Sequence, residues 1–315
     1  MTTASRVAIV VPCYQSARFL AETVAGVQAQ TMTDWRLVVV DDGSTDDPRN
    51  TISQALDRDW RVTFVRQDNR GVAAARNAGA ASVASSKYIL FLDADDVLEP
   101  TMLSTMVAWL EAHAEAGMAY CKPSFIDEYG RPATSFWAPR LRRTPFGVGA
   151  IPDEEPVTPF GSIFCLAGIV PSLSLIRRGL FEAVGWWDET FGQHYEDTLL
   201  FLRLALQAEV HYVNRTLVRH RRHPGQSTGD PSKFVRQEQK LYAHFRDISS
   251  FDHAQRATVR DAWKFRERRV IPMRACGAAV ENVRAGAAMT GARFVAGAAR
   301  IAVGSILLGP GRILS

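Results

Sequence analysis

Two carboxylates one residue apart, Asp93 and Asp95 in LDADD (92–96), follow directly on the continuous apolar segment YILFL (88–92). Alternate positions at a strand end direct both side chains towards one point. Hard cations such as Mg²⁺ or Mn²⁺ favour such oxygen ligands and complete their shells with substrate phosphates. An isolated D-x-D also describes a solvated acidic turn, so its meaning depends on its surroundings. A second acidic group, DDGSTDD (41–47), follows another apolar run, LVVV (37–40), and a third pair, Glu196 and Asp197, precedes the amphipathic run TLLFLRLAL. Acids at a helix start cap free N–H groups and complement the macrodipole, so pattern alone gives this last pair a structural role.

The elements that must hold these acids are legible as periodicity. Apolar runs at 7–11 (VAIVV), 37–40, 62–65 (VTFV) and 88–92 alternate with helical patterns near 17–29 and over the Ala-rich 71–84. Short continuous apolar strands separated by helices predict an α/β chain whose sheet is covered on both faces. In such sheets ligands bind beyond the carboxyl ends of the strands, and there the sequence places PCYQS, DDGSTDD and DADD. The two acidic groups are expected on strands lying side by side. Prolines 123, 132, 139, 145, 152, 156 and 159 make 123–161 a long loop or small insertion. Regular structure returns over 173–185, in a helix near 197–207, a strand near 210–219 and two polar helices from about 232 to 269.

With 315 residues, 47% hydrophobic and 22% charged, disorder and collagen are excluded and a sizeable core is available. Cys13, Cys121, Cys165 and Cys276 are scattered, without the spacing of a disulfide framework or a zinc site. The start, MTTASRVAIVV, has no secretory signal pattern, so a cytoplasmic location is expected. The net charge of +4 is uneven: residues 255–315 hold 11 Lys or Arg against 3 Asp or Glu. Within 273–315 the longest uncharged stretch near the end, Ile301 to Gly311, is shorter than the ~20 residues that span a bilayer. An interfacial helix on anionic lipid, at the inner face of the plasma membrane, and a helix packed on its own domain or a second subunit are both open readings. Nucleic acid is not an expected partner, because this segment has little aromatic content and no recognisable module.

Taken together, VAIVVPCYQS, VVVDDGSTDD, NRGVAAARNAG and YILFLDADDVLEP, in this order, resemble the family 2 glycosyltransferases with the GT-A fold. The similarity covers 6–100 and resumes over 179–206, around GWWDETFGQHYEDTLLFLRL, about two fifths of the chain. The resemblance implies a Rossmann-like GT-A domain over 1–230, with a mixed, mainly parallel sheet flanked by helices. Its donor half would span about 1–122 and its acceptor half about 123–230, followed by a basic helical extension over 231–315.

Roles implied by the resemblance attach to matching positions only. Pro12 and Tyr14 lie against the nucleotide, and Asp42 accepts a hydrogen bond from the donor's base, while Asp41 reads as a turn residue. Arg76 lies near the base and diphosphate. Asp95 is the main contact of an Mn²⁺ or Mg²⁺ ion, Asp93 adjoins the sugar or metal-bound water, and Asp96 supports them. Asp197 is the general base, with Glu196 positioning it or substituting for it. In VRHRRHPGQST (218–228), His223 is a metal or diphosphate contact, with Arg221 and Arg222 as alternatives. Trp186, Trp187 and Asp188 stand where the family has a Gly-Gly-Phe-Asp-Glu-like segment, and two readings stay open: an aromatic platform for the acceptor, or core filling.

The activity implied is inverting transfer of a sugar from a nucleotide-diphosphate sugar, UDP favoured, to a saccharide or lipid-linked saccharide. Arg outnumbers Lys by 32 to 5, which associates the chain with a GC-rich bacterial genome and with envelope or capsule polysaccharide or glycolipid synthesis. The alternative is a catalytically silent nucleotide-sugar-binding or membrane-associated scaffold of the same fold. A nucleotidyltransferase would carry a Gly-rich basic loop after the first strand, and PCYQS is not one.

Overall fold

The computed structural model describes residues 5–83, 86–133, 157–166, 169–192, 194–225 and 231–270. The four apolar runs form β1 (Ser5–Cys13), β2 (Trp35–Asp42), β3 (Val62–Gln67) and β4 (Ser86–Phe91), all mutually parallel where they pair. Val7 to Val11 are wholly buried, as a strand covered on both faces requires. Between them lie α1 (Ala17–Gln28), the short α2 (Pro48–Thr51) and α3 (Ser53–Arg58), and α4 (Val72–Ser82). In α1, Phe19, Leu20, Thr23, Val24 and Val27 form the buried stripe expected of helical periodicity.

The chain continues through β5 (Val97–Leu98), α5 (Met102–Ala112), β6 (Ala116–Ile126), α6 (Phe160–Leu166), β7 (Ser174–Arg177), α7 (Arg178–Ala183), α8 (Glu196–Ala205) and β8 (Glu209–Arg221). All eight strands join one mixed sheet in the order β3-β2-β1-β4-β7-β6-β8-β5. β7 runs antiparallel to both β4 and β6, so β6 and β8 point the same way as β4. β5 lies antiparallel on β8, pairing Val97 with Arg219 and Leu98 with Val218. This brings the Asp93–Asp96 turn against the end of β8.

Two expectations are corrected. The acidic strand ends are not neighbours, because β1 pairs with β2 on one side and β4 on the other; the chain reverses its winding there, which opens the crevice typical of such switch points. Nor is the Pro-rich stretch irregular from 123, since β6 runs through Pro123 to Ile126 and ends in a turn where Asp127 Oδ1 accepts from the Tyr129 and Arg131 N–H groups (both 2.9 Å). Residues 134–156 lie outside the described residues.

Chain contacts divide the molecule into two units. Among the described residues, the first holds 5–133, 157–158 and 169–223, and with it every candidate site residue. The second holds α6 together with α9 (Pro231–Arg246) and α10 (His253–Phe265), so α6, which the sequence reading assigned to the first domain, groups with the C-terminal helices. Its interior contains edge-to-face rings, Phe160 on Phe245 and Phe164 on Phe245, and a buried Arg266–Glu238 ion pair at 2.6 Å. The sequence readings for 273–315 fall outside the described residues.

Helix α4 approaches the sheet closely because it is built of small residues. A Cβ at Gly79 would stand 2.4 Å from Val10 Cγ1 and 3.0 Å from Val40 Cγ2. Gly79→Val is therefore expected to lower unfolding stability by at least about 1–3 kcal/mol, read as a fall in the urea midpoint, whereas Gly71→Ala has free space and meets only its left-handed backbone.

Candidate active site

The loop after β2 spends most of its acids on its own backbone. Asp41 Oδ1 accepts from the Ser44 N–H (2.8 Å) and Oδ2 pairs with Arg66 (2.6 Å), the turn role expected of it. Asp46 Oδ2 accepts the first N–H of α1, at Ala17 (2.8 Å), and Asp47 caps α2 through the Asn50 N–H. Asp42 is buried and accepts from Gln67 Nε2 (2.8 Å) and from the N–H groups of Arg70 (2.9 Å) and Gly71 (2.8 Å). It thereby ties β2 to the turn that starts α4, and one of its roughly four acceptor sites remains for a ligand. Gly43 (φ +79°) permits the tight passage, since a Cβ there would stand 2.9 Å from the Asn69 nitrogen. Pro12 is partly buried at the end of β1, and Tyr14 beyond it is 52% exposed.

The turn after β4 is anchored from three sides. The Asp93 N–H donates to Ser172 Oγ (3.1 Å), Thr23 Oγ1 donates to the Ala94 carbonyl (2.8 Å), and the Asp96 N–H returns to the Asp93 carbonyl (3.1 Å). Asp96 is fully buried; it accepts from the Arg221 N–H (2.9 Å) and contacts His220 Nδ1 at 3.0 Å. Burial alone would lower the His220 pKa, but Asp96 outweighs it and holds the imidazole above its ordinary value. Arg221 donates through Nε to the Asp95 carbonyl (2.9 Å) and through Nη1 to the Asp127 carbonyl (3.1 Å), and it pairs with Glu22. It is a scaffold for this turn rather than a free phosphate contact, a role the sequence did not signal.

Asp95 is left facing His223, with Oδ2 at 3.0 Å from Nε2 beside the β5–β8 pairing, and the His223 ring lies tilted at 46° against Phe19, their centroids 4.7 Å apart. A carboxylate and an imidazole delivered to one point by two rigid elements suit a divalent cation of the Mn²⁺ or Mg²⁺ type. The sequence-predicted pair Asp95–His223 is thus brought together.

Asp93 turns elsewhere. Its Oδ1 accepts from Arg76 Nη2 (2.9 Å), while Arg76 Nη1 reaches Glu196 Oε1 (3.2 Å). Arg76 is only 3% exposed, and its guanidinium lies 4.3 Å over the Trp187 ring. The resemblance implied a place near the donor's base and diphosphate for Arg76; in the structure its terminal nitrogens are engaged by Asp93, in the turn after β4, and Glu196, at the start of α8. Burial outweighs Arg76 at Asp93 and raises that carboxyl's pKa.

Helix α8 begins directly after two non-glycine residues in the left-handed region, His194 (φ 74°) and Tyr195 (φ 63°), both buried. Such backbone persists only where surrounding structure imposes it, and it concentrates at functional sites. It delivers Glu196 to Arg76 and leaves Asp197 bonded, among the described residues, only at Oδ1, to the Thr198 N–H (2.6 Å) and hydroxyl (3.2 Å). Burial first, and then the charge of Glu196, push the Asp197 carboxyl up to about 7. A carboxylate poised near neutrality is what a general base requires.

The acceptor-side aromatics divide. Trp187 is 2% exposed and edge-on to Phe91 (5.0 Å), so it offers no ring face to a sugar, and core filling is the reading that holds for it. Trp186 is half-buried against Phe181 (5.2 Å). Asp188 closes a turn, accepting from the N–H groups of Thr190 and Phe191 and from the Thr190 hydroxyl; against burial, these bonds hold its pKa low. Asn77, for which the sequence reading held no role, and Glu189, read there only as part of the family-like segment, fasten this segment to α4.

Among the described residues one further group of metal-type ligands occurs, His113, Glu115 and His211, with ligand atoms within 4.8 Å of one another at the amino ends of β6 and β8. His211 is already satisfied there. Its Nδ1 accepts from the Trp109 indole N–H (3.3 Å), which leaves Nε2–H to donate to Glu209 (2.8 Å).

Comparison with known proteins shows the family and the fold. The family model for glycosyl transferase family 2 matches residues 8–165, half of the chain. Glycosyltransferase GlyG of Streptococcus pneumoniae is 29% identical over 230 residues, covering 70% of this chain and 71% of GlyG. Two solved structures share the fold. TarS 1–349 of S. aureus in complex with UDP-GlcNAc has a TM-score of 0.64 at 16% identity over 83% of this chain and 72% of that one. The mannosyltransferase PcManGT of Pyrobaculum calidifontis, in complex with GDP-Man and Mn²⁺, has a TM-score of 0.61 at 19% identity over 96% and 81%. With a family match that spans β1 to β6 and includes Asp42, Arg76, Asp93 and Asp95, the chain belongs to glycosyl transferase family 2.

Proposed function

We propose that the protein transfers a sugar from a nucleotide-diphosphate sugar to an acceptor hydroxyl with inversion of configuration. The observation that carries this reading is Asp197, a largely enclosed carboxyl raised to about 7, whose neighbour Glu196 shares the Arg76 guanidinium with the donor-side acid Asp93. Asp42, with Pro12 and Tyr14, borders the space beyond β1 and β2, where the base and ribose would lie. Asp95 and His223, with Asp93 beside them, fit Mn²⁺ or Mg²⁺, which when bound would neutralise the diphosphate as it leaves.

The acceptor oxygen attacks the anomeric carbon as its proton passes to Asp197. One carbon–oxygen bond forms, the bond to the diphosphate breaks, and the leaving group takes the electron pair. A single displacement inverts the centre and needs no enzyme nucleophile. TarS binds UDP-GlcNAc and PcManGT binds GDP-Man, which supports a nucleotide-sugar donor, UDP favoured. A saccharide or lipid-linked acceptor of envelope or capsule synthesis is the reading for the other substrate. No helix among the described residues is long and apolar enough to cross a membrane. The basic segment 273–315 is read either as a contact to an anionic membrane surface from the cytoplasmic side or as a helix packed on its own domain or on a second subunit.

Thermal-shift measurements with UDP, GDP, dTDP and CDP, each with and without Mn²⁺ or Mg²⁺, test the donor site. One diphosphate is expected to stabilise the protein in a metal-dependent way that Asp95→Ala removes. No shift with any of them at millimolar ligand would favour the silent scaffold.

Asp197→Asn is expected to lower turnover by about 10²–10⁴-fold while leaving diphosphate binding intact. In the wild type, kcat/KM should rise with pH to a plateau above about 7, where Asp197 is ionised. The same raised pKa has a stability consequence. The folded state favours the protonated carboxyl, so stability is lost as pH climbs from 3.8 to about 7, and Asp197→Asn should gain on the wild type over that range in paired denaturant melts.

A further inference from the structure

Trp187 takes no part in the chemistry just described, yet it is the largest side chain touching Arg76. Its indole stands edge-on to Phe91 at the end of β4 (88°) and its face lies 4.3 Å from the guanidinium carbon. Its backbone is clamped twice by Asn77, the residue next to Arg76: the Trp187 N–H donates to Asn77 Oδ1 (3.1 Å), and Asn77 Nδ2 donates to the Trp187 carbonyl (2.9 Å). Glu189 accepts from the same Nδ2 (2.9 Å) and from Arg70 Nη2 (3.0 Å), which fixes the segment at a second point, in the turn before α4. Arg76 Nε is buried without a hydrogen bond. Two carboxylates and one indole face therefore locate this guanidinium.

We propose that Trp187 is a positioning residue, whose indole face holds Arg76 where a single guanidinium spans Asp93 and Glu196 and so keeps the base pair Glu196–Asp197 in register with the donor-side carboxylates. This rests on the glycosyl-transfer reading above. A cation over an indole gains most when both are desolvated, as here; a phenyl ring offers a weaker face, and an aliphatic chain offers volume but no attraction. Trp187→Leu leaves the guanidinium free to move between its two acids, while Trp187→Phe retains part of the hold. The charged groups facing Asp197 are Glu196 beside it and Arg76 from α4, so displacement of Arg76 withdraws the cation that favours its ionised form.

The test uses the full chain and its Trp187→Leu and Trp187→Phe variants, with UDP plus Mn²⁺ titrated calorimetrically and UDP-GlcNAc and GDP-Man turnover followed by diphosphate release. Trp187→Leu is expected to lower kcat roughly tenfold to a hundredfold. Its donor KM and its UDP affinity should stay within about twofold, and the acid limb of its pH profile should move upward. Trp187→Phe should recover most of kcat. The proposal is overturned if Trp187→Leu keeps the wild-type kcat and acid limb, or if both variants lose activity through donor KM, as a substrate contact would. Wild-type protein that binds no nucleotide and turns over neither donor defeats the glycosyl-transfer reading instead. The register is then read without turnover, since the stability difference made by Asp197→Asn between pH 5 and 8 must have a higher midpoint in the Trp187→Leu background, and an unchanged midpoint refutes it.

Discussion

The arrangement depends on how a largely apolar sheet tolerates carboxylates at its centre. Asp93 and Glu196 arrive from β4 and α8, elements far apart in sequence, and both point at Arg76. An unpaired buried charge costs several kcal/mol, and a pair recovers that cost only with good geometry and satisfied hydrogen bonds. One guanidinium shared between two acids, with an aromatic face beneath it, meets that condition. It also leaves Asp197 incompletely compensated, so burial, and then the charge of Glu196, push that carboxyl up to about 7. The same economy that makes the interior stable makes one member of the group basic enough to use.

Acidic residues here divide into those spent on the backbone and those kept available. In DDGSTDD, Asp41, Asp42, Asp46 and Asp47 all accept N–H groups of turns or helix starts. Asp96 does the same for the end of β8. Among the described residues, Asp95 instead meets only the imidazole of His223 through its side chain, and Asp197 hydrogen-bonds only its neighbour Thr198. Of the acids in these motifs, Asp95 and Asp197 are the two left available among the described residues. Backbone satisfaction is obligatory in a buried loop, and it consumes most of what looks like chemistry.

Much of the fold was legible because its signals are local. Continuous apolar runs bounded by turns marked β1 to β4 within a few residues, and the small residues of α4 announced a close approach to the sheet that Gly79 makes explicit. The site was legible in part. Asp95 and His223 meet as the motifs implied, whereas Arg76 was read as lying near the donor's base and diphosphate and Trp187 as either platform or core. Neither partner of Arg76 lies near it in sequence, so no spacing rule reports the bridge. The roles of Asn77, Glu189 and Ser172 were invisible for the same reason: each acts by hydrogen bonds across the fold.

The sequence by itself determined the α/β class, the strands that carry the acids and the family to which those motifs belong, because periodicity and turn chemistry are properties of neighbouring residues. Tertiary structure alone decided which acids remain free, where β2 and β4 stand relative to β1, and how far the Asp197 proton affinity is raised. Those outcomes depend on burial and on charges delivered from distant segments, and electrostatic interaction follows distance in space rather than along the chain.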